Sequence, residues 1–554
     1  METPTPTIHS DDKRSSLELG EKAAHIHRTE SEIEKDNGEV KLFADDTNSK
    51  NLKLASDGRT ILIPQPSDDP RDPLNWSEWR KTCILLILAA AAFGGDFQSG
   101  AGIPLLGPQG VEWGMSPPDV NKAGNLNVLF LGIGGLLWIP PTYFWGRLPV
   151  LFWTQLIGCM MVLGSCLVTS FDQYYVLRPL TSVFLTAGQT IGLTFIRDMY
   201  CFHDHARKIG VWVFIFLCSP YCGPFFGGFM VNGLNGQWRP VLWLVFAYSC
   251  AVLLAIIFLA EETWYDRTLS EQPPKTGGLL GRVKDLVGIT AFEQRSFKPN
   301  WKPSVLRLAE VFARPVSWFV FVIYGLSFMW AVGINITSSI LFATPHEEGG
   351  YGFSLRTISL LYFTPFVGLF IGEVIGHWAN DATAARYTRN HGGIFRPECR
   401  LYTFFYAAPL MIGGLVLVGQ ALQRQLNVGA IVIGWGMYVV GVMISSVSVT
   451  SYILDTFPSA SGEVSALVNL ARTLSGLVFS FEIGTQEFFT KSSILFSFSV
   501  GYFQLEWGLK STFGVSFGIQ AAIVGAATVL VLILVFIGER IRKIGGPLHY
   551  AYHH

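Results

Sequence analysis

The sequence predicts an all-α membrane protein: twelve transmembrane helices in two six-helix bundles. Three observations carry this. The 554 residues are 50% hydrophobic and only 15% charged, with a mean hydropathy of +0.37, whereas a soluble chain carries about 25% charge. Apolar runs long enough to cross a bilayer, about 20 residues each, recur about twelve times. The longest polar break between runs, residues 261–311, divides them six and six.

Residues 1–70 are rich in Asp, Glu, Lys, Ser and Thr and hold no apolar core of a signal peptide. They are expected to form a disordered cytosolic tail. Asn75 is expected to cap the first helix with Glu78 three residues on, and Leu74 and Trp79 stand where a hydrophobic staple would. Trp76, Trp79, Arg80 and Lys81 suit the headgroup region. The spans follow at 82–104, 125–143, 148–170, 174–197, 207–231 and 239–260, so residues 71–260 make the first bundle. A cytosolic linker, 261–312, has room for one amphipathic helix on the membrane surface. Further spans at 315–338, 354–378, 400–420, 428–454, 463–486 and 513–537 make a second bundle over 313–540, with a short tail at 541–554. The pieces 104–115 and 491–503 are ambiguous. Lys and Arg concentrate in loops after even-numbered spans, as at Arg147, Arg207 and Arg386. That bias places both termini in the cytosol.

Other classes are excluded. A formal net charge of -1 gives no basis for nucleic-acid binding. There is no P-loop, dinucleotide fingerprint or H-E-x-x-H, so no enzyme, cofactor or metal is expected. The eight Cys form no C-x-x-C pair and read as small packing residues. The expected partners are a small-molecule solute, protons and the lipid bilayer, with the chain a monomer.

The fifth span holds "CSPYCGPFFGGFM", where Gly223, Pro224, Gly227 and Gly228 put small residues on one helical face and allow another helix close. With this pattern the chain resembles the major facilitator superfamily, in particular its twelve-span drug–proton antiporters, whose fifth-span motif ends like "GPFFGG". The loop after span two keeps Gly146 and Arg147 of the family's loop motif, with Tyr143 at the acidic position. Its loose second-half counterpart offers Gly376, Asp381 and Arg386. Arg178 matches the fourth-span motif. The stretches "DPLNWSEWRK" and "RNHGGIFRPECRLY" are similar to fungal members. The resemblance implies alternating access at the plasma membrane and, through "GPFFGG", export by antiport.

Asp96 lies inside an apolar run, about 21 Å along the axis from Thr82. An intramembrane acid faces a cavity or a partner by default. Arg178 in span four falls at a similar depth and is a candidate to meet it. Asp96 then holds the coupling proton, binds a cationic solute, or forms a structural pair. Arg472, near the middle of span eleven, needs an anion: a solute group, Asp455, or backbone carbonyls instead. Asn127, Gln189, Trp330, Asn335, Tyr452 and Glu482 are candidate cavity residues, and Glu373 is expected in solvent near the cytosolic end of span eight. The expected function is secondary transport of a small organic solute, cationic or amphipathic, by proton antiport. Proton-coupled uptake of a polar nutrient such as a polyamine, and a transporter-like sensor without flux, are the alternatives.

Overall fold

A computed structural model describes residues 40–41, 53–55, 60–474 and 504–548, with short breaks within 268–277, at 299–300, within 344–349, at 392–393, within 505–510 and at 547. Eleven helices among these residues are long and apolar enough to cross a membrane. They correspond to the expected spans one to ten and twelve. The eleventh is described from Ser461 to Leu474. Glu482 and the piece 491–503 lie outside the described residues.

The ambiguous stretch 104–115 belongs to span one. Pro104 has no N–H to continue the helix, so Glu78–Ala101 passes through a 3-10 turn, Ile103–Leu105, and resumes as Leu106–Trp113. Span four is likewise two helices, Phe171–Leu185 and Ala187–Met199, joined at Thr186. Spans one to six pack chiefly on one another, and so do seven to ten with twelve. The two bundles meet where span eleven lies on spans two and four, and where span eight lies on span five. The linker holds the helices Gly278–Val287, Ile289–Glu293 and Trp301–Ala313. In the first, Leu279 and Leu280 are exposed and Leu286 is buried.

Three expectations at the start of the chain are corrected. Residues 60–70, assigned to a disordered tail, are folded onto the bundles. Ile61 and Ile63 are buried in a cluster with Phe202, Ala384, Phe395 and Cys399. The backbone of Val40–Lys41 pairs antiparallel with Ile394–Phe395. The cap of span one is Ser77, whose hydroxyl accepts from the Arg80 amide, rather than Asn75. Asn75 instead donates to the carbonyls of Ser67 (2.9 Å) and Asp69 (3.0 Å). Trp79 is exposed, so it makes no staple, while Trp76 is buried with the Arg80 guanidinium 4.0 Å above its ring.

Candidate functional site

Asp96 is 5% exposed and faces the interior. Its partner is Arg472, whose Nη1 lies 2.6 Å from Oδ2. The expected pairing with Arg178 is not found. Gln189 Nε2 donates to the same Asp96 oxygen at 3.0 Å and to the Ala92 carbonyl at 3.1 Å. Gly95 makes room for this, since a Cβ there would stand 2.9 Å from Gln189 Nε2. Arg472 also donates to Gln189 Oε1 (3.1 Å) and Asn469 Oδ1 (2.9 Å), and its guanidinium lies 4.6 Å from the centre of the Phe216 ring. Asp96 and Gln189 belong to the first bundle and Arg472 to the second. The network therefore bridges the two.

Arg178 has a different task. A helix leaves its last four carbonyls unpaired within itself, and the first helix of span one ends at Ala101. Arg178 Nη1 donates to the Gln98 carbonyl (2.7 Å) and Gln98 Oε1 (2.9 Å), and Nη2 to the Ser99 carbonyl (3.1 Å). An arginine satisfied by backbone carbonyls was an expectation for Arg472; it describes Arg178. Asp455, offered as an anion for Arg472, binds Arg400 at 2.9 Å instead.

A cavity runs from Asp96 and Arg472 past Arg178 and Asn335 to Gln109. Asn335 Nδ2 reaches across the bundles to the Pro220 carbonyl at 3.1 Å. Asn127 accepts from Gln98 Nε2 at 2.9 Å and from the Ser182 hydroxyl, one layer behind the wall. Trp330 is buried at 1% exposure and does not line the cavity. Tyr452 is also away from it, next to Gly538 and Glu398 of the second bundle. Glu373 is half-buried against Gly210 of span five rather than in solvent. The sequence reading missed Gln98, Asn469, Tyr221 and Phe328. The spacing of Asn469 and Arg472, three apart on one helical face, was the available signal.

Small residues of the fifth-span motif sit where span five crosses span one. A Cβ on Gly223 would collide with the backbone of Gly100 and Ala101, and one on Gly227 would stand 2.9 Å from Pro104. Gly228 faces Ser359 of span eight. Gly146 has φ +115 and starts span three, where Glu262 accepts from the amides of Arg147 (3.2 Å) and Leu148 (3.1 Å). Arg147 pairs with Asp198 at 3.1 Å. Asp381 lies 3.5 Å from His377 and 3.8 Å from Arg400. Tyr143, at the acidic position of the loop motif, donates to Glu463 at 2.7 Å at the start of span eleven. Arg307 of the linker pairs with the same carboxylate at 3.3 Å. Arg197 donates to the Ser459 carbonyl at 2.6 Å. The Tyr143–Glu463 and Arg197–Ser459 contacts join the bundles at the predicted cytosolic end, and Arg307 ties the linker to the same place.

Residues 80–480 match the family model of the Major Facilitator Superfamily. The MFS-type transporter hepF of Aspergillus oryzae is 25% identical over 433 residues, covering 76% of this chain and 85% of that protein. The multidrug transporter mdrA of Aspergillus fumigatus is 23% identical over 422 residues, covering 74% and 67%. Protein HOL1 of Saccharomyces cerevisiae is 22% identical over 507 residues, covering 78% and 84%. Among solved structures, the proton:xylose symporter XylE bound to 6-bromo-6-deoxy-D-glucose is similar in fold, with a TM-score of 0.58 at 13% identity, covering 83% of this chain and 97% of that one. A match over most of the chain, with two helical bundles about a bridged cavity, leads to one conclusion: the chain belongs to the Major Facilitator Superfamily, as a multi-pass membrane transporter of the fungal drug-transporter-like type and not an enzyme.

Proposed function

We propose that the chain exports a small organic solute, cationic or amphipathic, in exchange for protons, by alternating access at the plasma membrane with both termini cytosolic. The observation that carries this reading is the buried Asp96–Arg472 pair bridging the bundles beside the cavity. An intramembrane carboxylate of this kind is functional by default. Asp96 has three alternative partners: Arg472, a solute cation or a proton. An opposite charge favours the ionised carboxylate, so solute and proton exclude one another there, which is the requirement for antiport. Arg472, when displaced, keeps the Gln189 and Asn469 oxygens and the Phe216 ring as acceptors. The multidrug relative mdrA supports the solute class.

One observation favours a second reading. Among the described residues lining the cavity, Asp96 is the one carboxylate, against the guanidiniums of Arg178 and Arg472. A solute with an acidic group would take Arg472. Protonation of Asp96 would then assist its binding, so proton and solute would travel together, as uptake. The sign of the solute's charge thus sets the sign of coupling.

Proton flux in proteoliposomes, driven by gradients from panels of organic cations and anions, separates the readings. Wild type is expected to move protons against the cation gradient, and Asp96→Asn to lose at least tenfold of that flux. Protons moving with an anion would replace antiport by symport. An unaffected Asp96→Asn variant would remove Asp96 from the mechanism.

A further inference from the structure

The stretch Ile61–Ile63 lies in a buried apolar cluster to which both bundles contribute. Ile61 and Ile63 are 2% and 0% exposed. They share one cluster with Phe202, the first residue of span five, and with Ala384, Phe395 and Cys399 of the second bundle. The Ile63 carbonyl accepts from the Phe202 amide at 2.7 Å. The Phe202 and Phe395 rings, from opposite bundles, meet edge to face 6.0 Å apart.

The segment is held by polar contacts on the side of the first bundle, at the Phe202 amide and at the start of the linker that leaves that bundle. The amide and hydroxyl of Ser67 both donate to Asp72 Oδ2 at 3.0 Å. Asp72 is fully buried and pairs with Arg267 at 2.9 Å. The Ser67 hydroxyl also lies 3.1 Å from that of Tyr265. On the side of the second bundle, the described contacts of Ile61 and Ile63 are apolar.

Alternating access requires the bundle ends to separate on one side and then on the other. Separation at the predicted cytosolic end moves Phe202 away from Phe395, and Ile61 and Ile63 cannot stay buried against both. We propose that residues 60–72 form a strap that restrains opening at this end, and that opening requires the two isoleucines to leave the Phe395–Cys399 side. The strap rests on the alternating-access reading above but not on the identity of the solute or on proton coupling. It acts as a built-in brake, set by the chain's own N-terminal segment.

The test uses the full chain in proteoliposomes without solute. Two readouts are followed in wild type and in the Ile61→Asp/Ile63→Asp variant. The first is alkylation of Cys399 by N-ethylmaleimide, resolved by peptide mass, since Cys399 is fully buried beneath the strap. The second is amide exchange over 461–474, the part of span eleven that lies between the bundles. Both are expected to rise in the variant, Cys399 alkylation at least tenfold. Faster alkylation with unchanged exchange at 461–474 would overturn the proposal, because the segment would then dock without restraining. Unchanged alkylation would overturn it as well. Protection of span nine, Phe404–Gln423, reports that the variant is folded. If that is lost, Ile61→Ala/Ile63→Ala is judged by the same two criteria. Absence of proton flux would defeat the antiport reading and leave these outcomes intact.

Discussion

Removing one member of a buried ion pair costs more than removing both, because the survivor is left charged and uncompensated. Asp96 and Arg472 form such a pair, at side-chain exposures of 8% and 5%. Arg472→Met is expected to destabilise the protein by about 3–5 kcal/mol. The Asp96→Asn/Arg472→Met double variant should recover part of that loss. Thermal unfolding of the purified proteins checks it: a double variant that melts below Arg472→Met would show that the pair is not the relevant coupling. Asp96 was legible in the sequence because an acid in an apolar run is conspicuous. Its partner was not, since 376 positions separate the two. Depth along the axis brought Arg178 to the same level as Asp96, but depth says nothing of which carbonyls a broken helix leaves free. The break at Pro104 is what claims Arg178.

At the scale of elements, close approach and local charge decide. Span five lies on span one at Gly223, where a Cβ would meet backbone atoms that have no rotamer to give way. Gly223→Leu should cost more than the ~1–3 kcal/mol typical of overpacking; size-exclusion chromatography is expected to show loss of the monodisperse protein. The strap carries a pH dependence. Burial opposes ionisation of Asp72, but the charge and hydrogen bonds of Arg267, with the amides of Ser67 and Leu74, hold its carboxyl below the ordinary 3.8. The folded form is thus the weaker acceptor of protons. Its contribution is fully present above pH 3.8 and is lost as pH falls below that value. Amide exchange at Ile63 and Phe202 is expected to accelerate, relative to span nine, only in that acidic window, and Asp72→Asn to show the acceleration at neutral pH. Exchange in Asp72→Asn matching wild type at neutral pH would rule out this anchor. The strap escaped the sequence reading because composition averaged over seventy residues hides three apolar ones. The spans themselves were legible, since about twenty apolar residues in a row admit few other structures.

For the whole molecule, the balance between its two access states depends on what joins the bundles at each end. At the predicted cytosolic end, Glu463 of span eleven gathers Tyr143 from the first bundle and Arg307 from the linker, both groups fully buried. The loop motif's acidic position is Tyr143 here, so the negative charge is supplied from the opposite bundle instead. Removing Glu463 alone would strand Arg307, and unfolding would obscure any shift in conformation. Arg307→Met/Glu463→Gln removes both charges and keeps the volume. With cysteine-borne spin labels replacing the exposed Arg207 and Arg389, one from each bundle, the double variant is expected to gain a longer-distance population. A distribution identical to wild type would show that these charges do not hold the end shut. Combined with the aspartate substitutions in the strap, the gain should be larger than from either change alone, because strap and charge cluster resist the same separation through different contacts. A gain no larger than that of the strap variant would mean that the strap alone sets the balance.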